Sequence, residues 1–169
     1  DIFELDGKHV GILGLPVEQA AASFGRPTGL AIAGDNLIIS DAIRNKIITY
    51  KLQGNFVSEF GSFGSGDKQL TSPGGVAADT SGNIYVADTG NNCVKVFDNA
   101  GSFKRVIGSN GSGNGKLNAP GDVAVASSVG KLFVSDTGNN LVQIFSLSGE
   151  FLGQFGGFGN APGQFNNPM

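Results

Sequence analysis

At 169 residues, 40% of them hydrophobic, the chain can bury a core and lies far from a disordered composition. Only 15% of residues are charged, the formal net charge is −3 and the pI is near 5.0, which excludes a broad phosphate-binding surface. Lys104 and Arg105 are adjacent but no basic run surrounds them, so no nucleic acid is expected as a partner. The lone Cys93 excludes an intrachain disulfide and a Cys-based zinc cluster, and no apolar run is long enough for a membrane span.

In chain order, residues 1–14 read as the second half of a repeating unit, with His9 standing where later units carry Phe56, Phe103 and Phe151. The connection 15–26 follows. Its Leu15–Ala22 insert is one residue longer and poorer in Gly than its sisters, with room for one helical turn. Unit 27–61 predicts strands at Leu30–Ile32, Leu37–Ser40, Ile47–Tyr50 and Phe56–Phe60. After connection 62–72, unit 73–108 predicts Gly75–Asp79, Asn83–Asp88, Val94–Phe97 and Phe103–Ile107. Connection 109–119 leads to unit 120–156, with Asp122–Val125, Leu132–Ser135, Val142–Phe145 and Phe151–Phe155, and 157–169 is a last connection. Each run is short, β-branched or aromatic, and bounded by Gly, Asn, Asp or Ser, as hairpin strands are.

Four marker series share one register. Pro27, Pro73, Pro120 and Pro168 are spaced by 46, 47 and 48 residues, and Asp41, Asp88 and Asp136 by 47 and 48. Gly14, Gly61, Gly108 and Gly156 keep the same stride, each 11 residues after Phe3, Tyr50, Phe97 or Phe145. A repeat of this length marks a stacked architecture. The first two strands of each unit are apolar and small, which predicts both faces buried near an axis. The third and fourth alternate more, as in Val94-Lys95-Val96 and Val142-Gln143-Ile144, which predicts outer strands with one wet face. A four-stranded meander with that gradient describes a β-propeller blade.

The segments Pro73-Gly74-Gly75-Val76-Ala77, Gly82 to Asn92 and Val94-Lys95-Val96-Phe97-Asp98 closely resemble the NHL repeat, and the pattern recurs from Val134 to Asn140. The resemblance covers essentially the whole chain. It implies an all-β propeller of three full blades plus half a blade, within a ring that usually closes as six. The resemblance therefore predicts that further blades come from the same longer chain or from another chain. It is specific for fold and poor evidence for activity. Some structural neighbours of such domains are lyases or esterases with central metals, and others bind protein or RNA.

Asp41, Asp88 and Asp136 repeat around one rim and could suggest metal ligands. Recurrence in every unit favours a structural turn instead, with each carboxylate accepting from N–H groups of its own turn and Gly90 and Gly138 giving the turn its backbone freedom. The Gly-rich stretches Gly61–Gly66 and Gly108–Gly113 lack a Gly-Lys-Ser/Thr ending and read as connectors. Each precedes one large apolar residue (Phe24, Leu70, Leu117 or Phe165, counting every unit), which is suited to plug the space between blades. His9 has no Gly-x-Ser-x-Gly elbow beside it and no further His, so neither a catalytic triad nor a His-based zinc site can be built from it. Asn110-Gly111-Ser112 fits the N-glycosylation acceptor pattern.

Specificity is expected where the repeat breaks. Ala42-Ile43-Arg44-Asn45 replaces the Thr-Gly-Asn-Asn of its sisters, so Ile43, Arg44 and Lys46, with Glu18 and Gln19 of the long insert, are the candidate partner-binding residues. The leading expectation is a non-enzymatic scaffold that presents loops of one face to a protein or glycan, with no cofactor. The alternative is a metal-dependent lyase or esterase with an axial metal in the full ring, and an RNA-binding module ranks last. Few Cys with many Gly, Ser and Asn is compatible with an extracellular or periplasmic protein.

Overall fold

The computed structural model describes residues 2–3, 5, 7–11 and 24–169. Strands β1 (Ile2–Phe3) and β2 (His9–Gly11) form a short hairpin in which Phe3 pairs with His9. Three antiparallel four-stranded sheets follow, each a meander of consecutive strands. The first holds β3 (Pro27–Ala33), β4 (Asn36–Asp41), β5 (Lys46–Lys51) and β6 (Phe56–Phe60). The second holds β7 (Val76–Ala78), β8 (Ile84–Asp88), β9 (Cys93–Phe97) and β10 (Phe103–Ile107). A two-residue parallel ladder, β11 (Ser109–Asn110) with β12 (Lys116–Leu117), folds the next connector onto itself. The third sheet holds β13 (Asp122–Ala126), β14 (Lys131–Asp136), β15 (Leu141–Ser146) and β16 (Phe151–Gly156). No α-helix occurs among the described residues, so none there could cross a membrane.

Consecutive sheets stack face to face, and the core is the set of junctions between them. Between the first two sheets Ile38 and Ile47 meet Leu70, Val76, Val86 and Phe97. Between the second and third, Tyr85, Val94, Val96 and Ile107 meet Leu117, Val123, Val134 and Phe145. Leu70 and Leu117 are fully buried at these two seams, each carried there by the connector before its sheet. At the inner edge the strands come so close that a Cβ on Gly29 would lie 2.8 Å from the Gly75 Cα, and Gly75 N–H donates to the Gly121 carbonyl at 2.8 Å. Glycine is required there by the approach of two backbones.

Three expectations about burial need correction. The third strand of each unit is not wet on one face: Lys95 and Gln143 are both buried, because each polar side chain donates to carbonyls of the connector that precedes its sheet. The first strand is not buried on both faces throughout. Leu30 and Ile32 of β3 are 66% and 67% exposed, and Ala124 of β13 is exposed. Strand β7 of the middle sheet has a neighbour on each side, whereas β3 and β13 each turn one face away from the stack. Cys93, expected to be partly covered, is buried, and desolvation followed by the nearby Asp88 charge pushes its thiol up to about 11.

Candidate functional site

The β-turns between the second and third strands and the long connectors between sheets lie on one rim. Asp88 ends β8, and its Oδ1 accepts from the Thr71 N–H at 2.7 Å. Asp136 ends β14 and accepts from the Asn118 N–H at 2.7 Å. Each turn also grips the connector that follows it. Thr89 Oγ1 donates to the Pro120 carbonyl at 2.8 Å, and Asn92 Oδ1 accepts from the Ala119 N–H at 2.8 Å. The third turn repeats both bonds, from Thr137 to the Pro168 carbonyl at 2.6 Å and from the Asn167 N–H to Asn140 at 3.0 Å. Asn45, Asn92 and Asn140 hold φ values of 55°, 57° and 58°, a left-handed geometry that Asn tolerates better than most residues. The repeated turn is therefore a clamp between the connectors on its two sides.

The three aspartates are buried at the centre of these clamps. Their donors differ from the expectation. Only Asp41 accepts from its own turn's backbone, from Ile43 at 3.1 Å and Arg44 at 3.0 Å, besides Gly25 at 2.6 Å and Arg26 at 3.0 Å. Asp88 and Asp136 take instead the side-chain amides of Asn91 at 2.7 Å and Asn139 at 2.8 Å. The reason lies in the substitution: the first unit has Arg44 where its sisters have Asn, so the Arg44 backbone N–H supplies the missing donor. Asp88 is completed by Lys95 Nζ at 3.1 Å, and Asp136 by Gln143 Nε2 at 2.8 Å. Gly90 and Gly138 lie against the preceding connectors, donating to the Thr71 and Asn118 carbonyls at 2.8 and 2.9 Å. A Cβ on either would come within 2.5 Å of the facing side chain.

Burial pushes the Asp41 carboxyl up, but N–H groups of Arg26, Arg44, Gly25 and Ile43 outweigh it and hold it below the ordinary 3.8. Asp79, in the opposite turn between β7 and β8, is likewise lowered, by Asn83, Tyr85 and Ser81 against desolvation. A carboxyl lowered by folding contributes stability that is complete above its unfolded value and lost as pH falls through the folded one. The urea midpoint of the wild type is therefore expected to fall more between about pH 5 and about pH 2.5 than that of Asp41→Asn. Equal slopes in the two titrations would contradict this.

The sequence candidates occupy the same rim. Ile43 is 65% exposed, and Arg44 and Lys46 both bond Glu59 of β6, Arg44 at 3.1 Å. Glu18 and Gln19 lie outside the described residues. The sequence reading passed over two further residues. Phe63 and Phe158 are each 72% exposed at the tips of connectors read only as spacers. Both are fixed by parallel bridges, Phe63 to Leu70 and Phe158 to Phe165, and each tip is tied down by the N–H of Gly64 or Gly159 at 3.1 Å. The signal was present: the middle unit carries exposed Asn110 at this place, so the fold does not require an aromatic there. Among the described residues no group of three or more His, Cys, Asp or Glu is placed to hold a metal ion.

A family model described as NHL repeat matches residues 70–97 and 117–145. Among solved structures, a hydrazine synthase from Kuenenia stuttgartiensis is 13% identical over 87% of this chain and 40% of that one, with a TM-score of 0.64. A nidogen/laminin complex is 22% identical over 76% and 48%, with a TM-score of 0.63. A catalytically inactive virginiamycin B lyase from Staphylococcus aureus with quinupristin is 19% identical over 90% and 46%, with a TM-score of 0.62. The chain thus spans less than half the length of each, and such identities show the fold alone. No curated protein matches the chain.

Proposed function

We propose, from the premise that this is an NHL-repeat chain built of β-propeller sheets, that it is a non-enzymatic scaffold whose clamp-and-connector rim docks a protein partner. The observation that carries the reading is the set of exposed apolar side chains Ile43, Phe63 and Phe158 on loops that backbone bonds already hold in place. Exposed aromatics cost a fold solubility and give it nothing, whereas in an interface they are the side chains that most often carry binding energy. Because the loops are fixed before binding, little ordering entropy opposes association. Ile43 and the Phe63 connector share one clamp, since Asn45 Oδ1 accepts from the Ser72 N–H at 2.8 Å, and Arg44 and Lys46 lie beside Ile43 as polar rim. The reading needs no cofactor.

The test compares wild type with Phe63→Ser/Phe158→Ser, both checked for native circular dichroism. A protein captured from source-cell extract is purified and titrated against each by calorimetry. Loss of about tenfold or more in affinity, some 1.4 kcal/mol, is expected for the variant. Unchanged affinity overturns the assignment of the rim. Binding to a glycan array with no protein partner, or salt-dependent binding of single-stranded RNA, would overturn the partner class.

A further inference from the structure

The tip of the connector between the second and third sheets departs from its sisters. All three described connectors close on themselves in the same way: the Gly64, Gly111 and Gly159 N–H groups donate to the Leu70, Leu117 and Phe165 carbonyls at 3.1, 3.0 and 3.1 Å. These glycines hold φ values of 142°, 146° and 152°, so the backbone dictates the middle residue of each tip. The residues on either side of it vary: Phe63 and Ser65, Asn110 and Ser112, Phe158 and Asn160. Only the second tip has Asn before the glycine and Ser after it. Asn110 is also the only asparagine in the chain with Ser or Thr two residues on.

The geometry of this tip suits that pattern. Asn110 pairs through its backbone with Leu117, which is fully buried in the seam, so the residue is anchored by its main chain. The side chains of Asn110 and Ser112 are exposed, and neither makes a hydrogen bond among the described residues. Phe63 and Phe158 occupy the place of Asn110 in the sister tips and are each 72% exposed, so a large group there reaches water without disturbing the fold. Other asparagines of the rim are engaged. Asn91 Nδ2 donates to Asp88 and to the Gly64 carbonyl, and Asn139 Nδ2 to Asp136 and to the Gly111 carbonyl. Both sheets that flank the Asn110 connector are described, so the exposure is that of a complete junction.

We propose that Asn110 is a modification site and carries an N-linked oligosaccharide. The donor class is an oligosaccharide on a polyprenyl diphosphate. Asn110 Nδ2 attacks the anomeric carbon C1, and the N–C1 bond forms as the C1–O bond breaks. The diphosphate leaves with the electron pair of that bond, and one Nδ2 proton passes to a base of the transferase. The Ser112 hydroxyl, two residues on, completes the acceptor pattern. The product adds a bulky, hydrated group to the connector between the two aromatic tips and leaves Phe63 and Phe158 bare. It requires that this part of the chain pass through a secretory or periplasmic compartment. The inference stands apart from the partner of the rim, because it concerns the tip without an aromatic residue.

The experiment is mass spectrometry of the protein isolated from its source cells, on the intact chain and on the peptide that holds Asn110. That peptide is expected to exceed its sequence mass by an oligosaccharide. Peptide N-glycosidase is expected to remove the excess and leave an aspartate in place of the asparagine. Ser112→Ala is expected to lose the modification and Ser112→Thr to keep it. The Ser112 hydroxyl bonds nothing in the fold, so both variants are expected to keep native circular dichroism and the wild-type urea midpoint. An Asn110 peptide at its sequence mass overturns the inference. So does a mass excess that the glycosidase leaves in place, or one that survives Ser112→Ala.

Discussion

Asp88→Ala is expected to lower the unfolding free energy by about 3–5 kcal/mol, read as a lower urea midpoint at unchanged m-value. Asp88 is fully buried, and its carboxylate is shared among the Thr71 N–H, the Asn91 amide and the Lys95 ammonium. Removing it leaves a buried cation whose other partners are the carbonyls of Ser65, Gly66 and Gln69, at 3.3, 2.8 and 2.6 Å. Those carbonyls solvate the ammonium but carry no full charge to balance it. The repeat itself suggests what rescues the loss. The first unit has Ile48 where the second has Lys95, and Asp41 there is served by four backbone donors. Asp88→Ala/Lys95→Ile removes both charges together and is expected to be more stable than Asp88→Ala alone, a non-additivity measured by the double-mutant cycle. Lys95→Gln copies the third unit, where Gln143 accepts from the Gly115 N–H at 2.9 Å and donates to Asp136. Its expected cost is about 1 kcal/mol, that of exchanging one satisfied polar group for another. If Asp88→Ala costs no more than Lys95→Gln, the clamp is not what holds the connectors.

The four-stranded antiparallel sheets were legible because turn chemistry and strand residues agree in every unit: Gly and Asn fall at left-handed corners, and aromatic or β-branched residues pair across the ladders. Side-chain direction was less legible. Val94-Lys95-Val96 alternates like a half-wet strand, but alternation says only that Lys95 faces away from its neighbours, and not whether water or a folded-back connector lies there. The connector does, which is a tertiary fact with no local signature. The rim failed to show for the opposite reason. Gly61–Gly66 was read by its glycines, which set the loop, and Phe63 between them was absorbed into the spacer. Comparison of Phe63, Asn110 and Phe158 would have separated what the fold needs from what it merely carries. Arg44 and Lys46 were singled out for breaking the pattern, yet both cations bond Glu59, a pairing between β5, its preceding turn and β6 that no spacing rule announces.

Phe97→Ala is expected to cost about 3–5 kcal/mol, while Phe155→Ala, which deletes the same atoms, is expected to cost about 1 kcal/mol. Phe97 is fully buried at the first junction, its ring centroid 4.8 Å from that of Phe60 in the preceding sheet and 6.1 Å, edge-on, from Phe103 in its own. Truncation leaves a cavity walled by two ladders that cannot collapse without breaking hydrogen bonds, so both the transfer term and the cavity term apply. Phe155 is 49% exposed and keeps one edge-on ring contact, with Phe165 at 6.1 Å, so water fills whatever space it leaves. The gap between the two midpoints separates a ring enclosed between two sheets from one with a single covered edge.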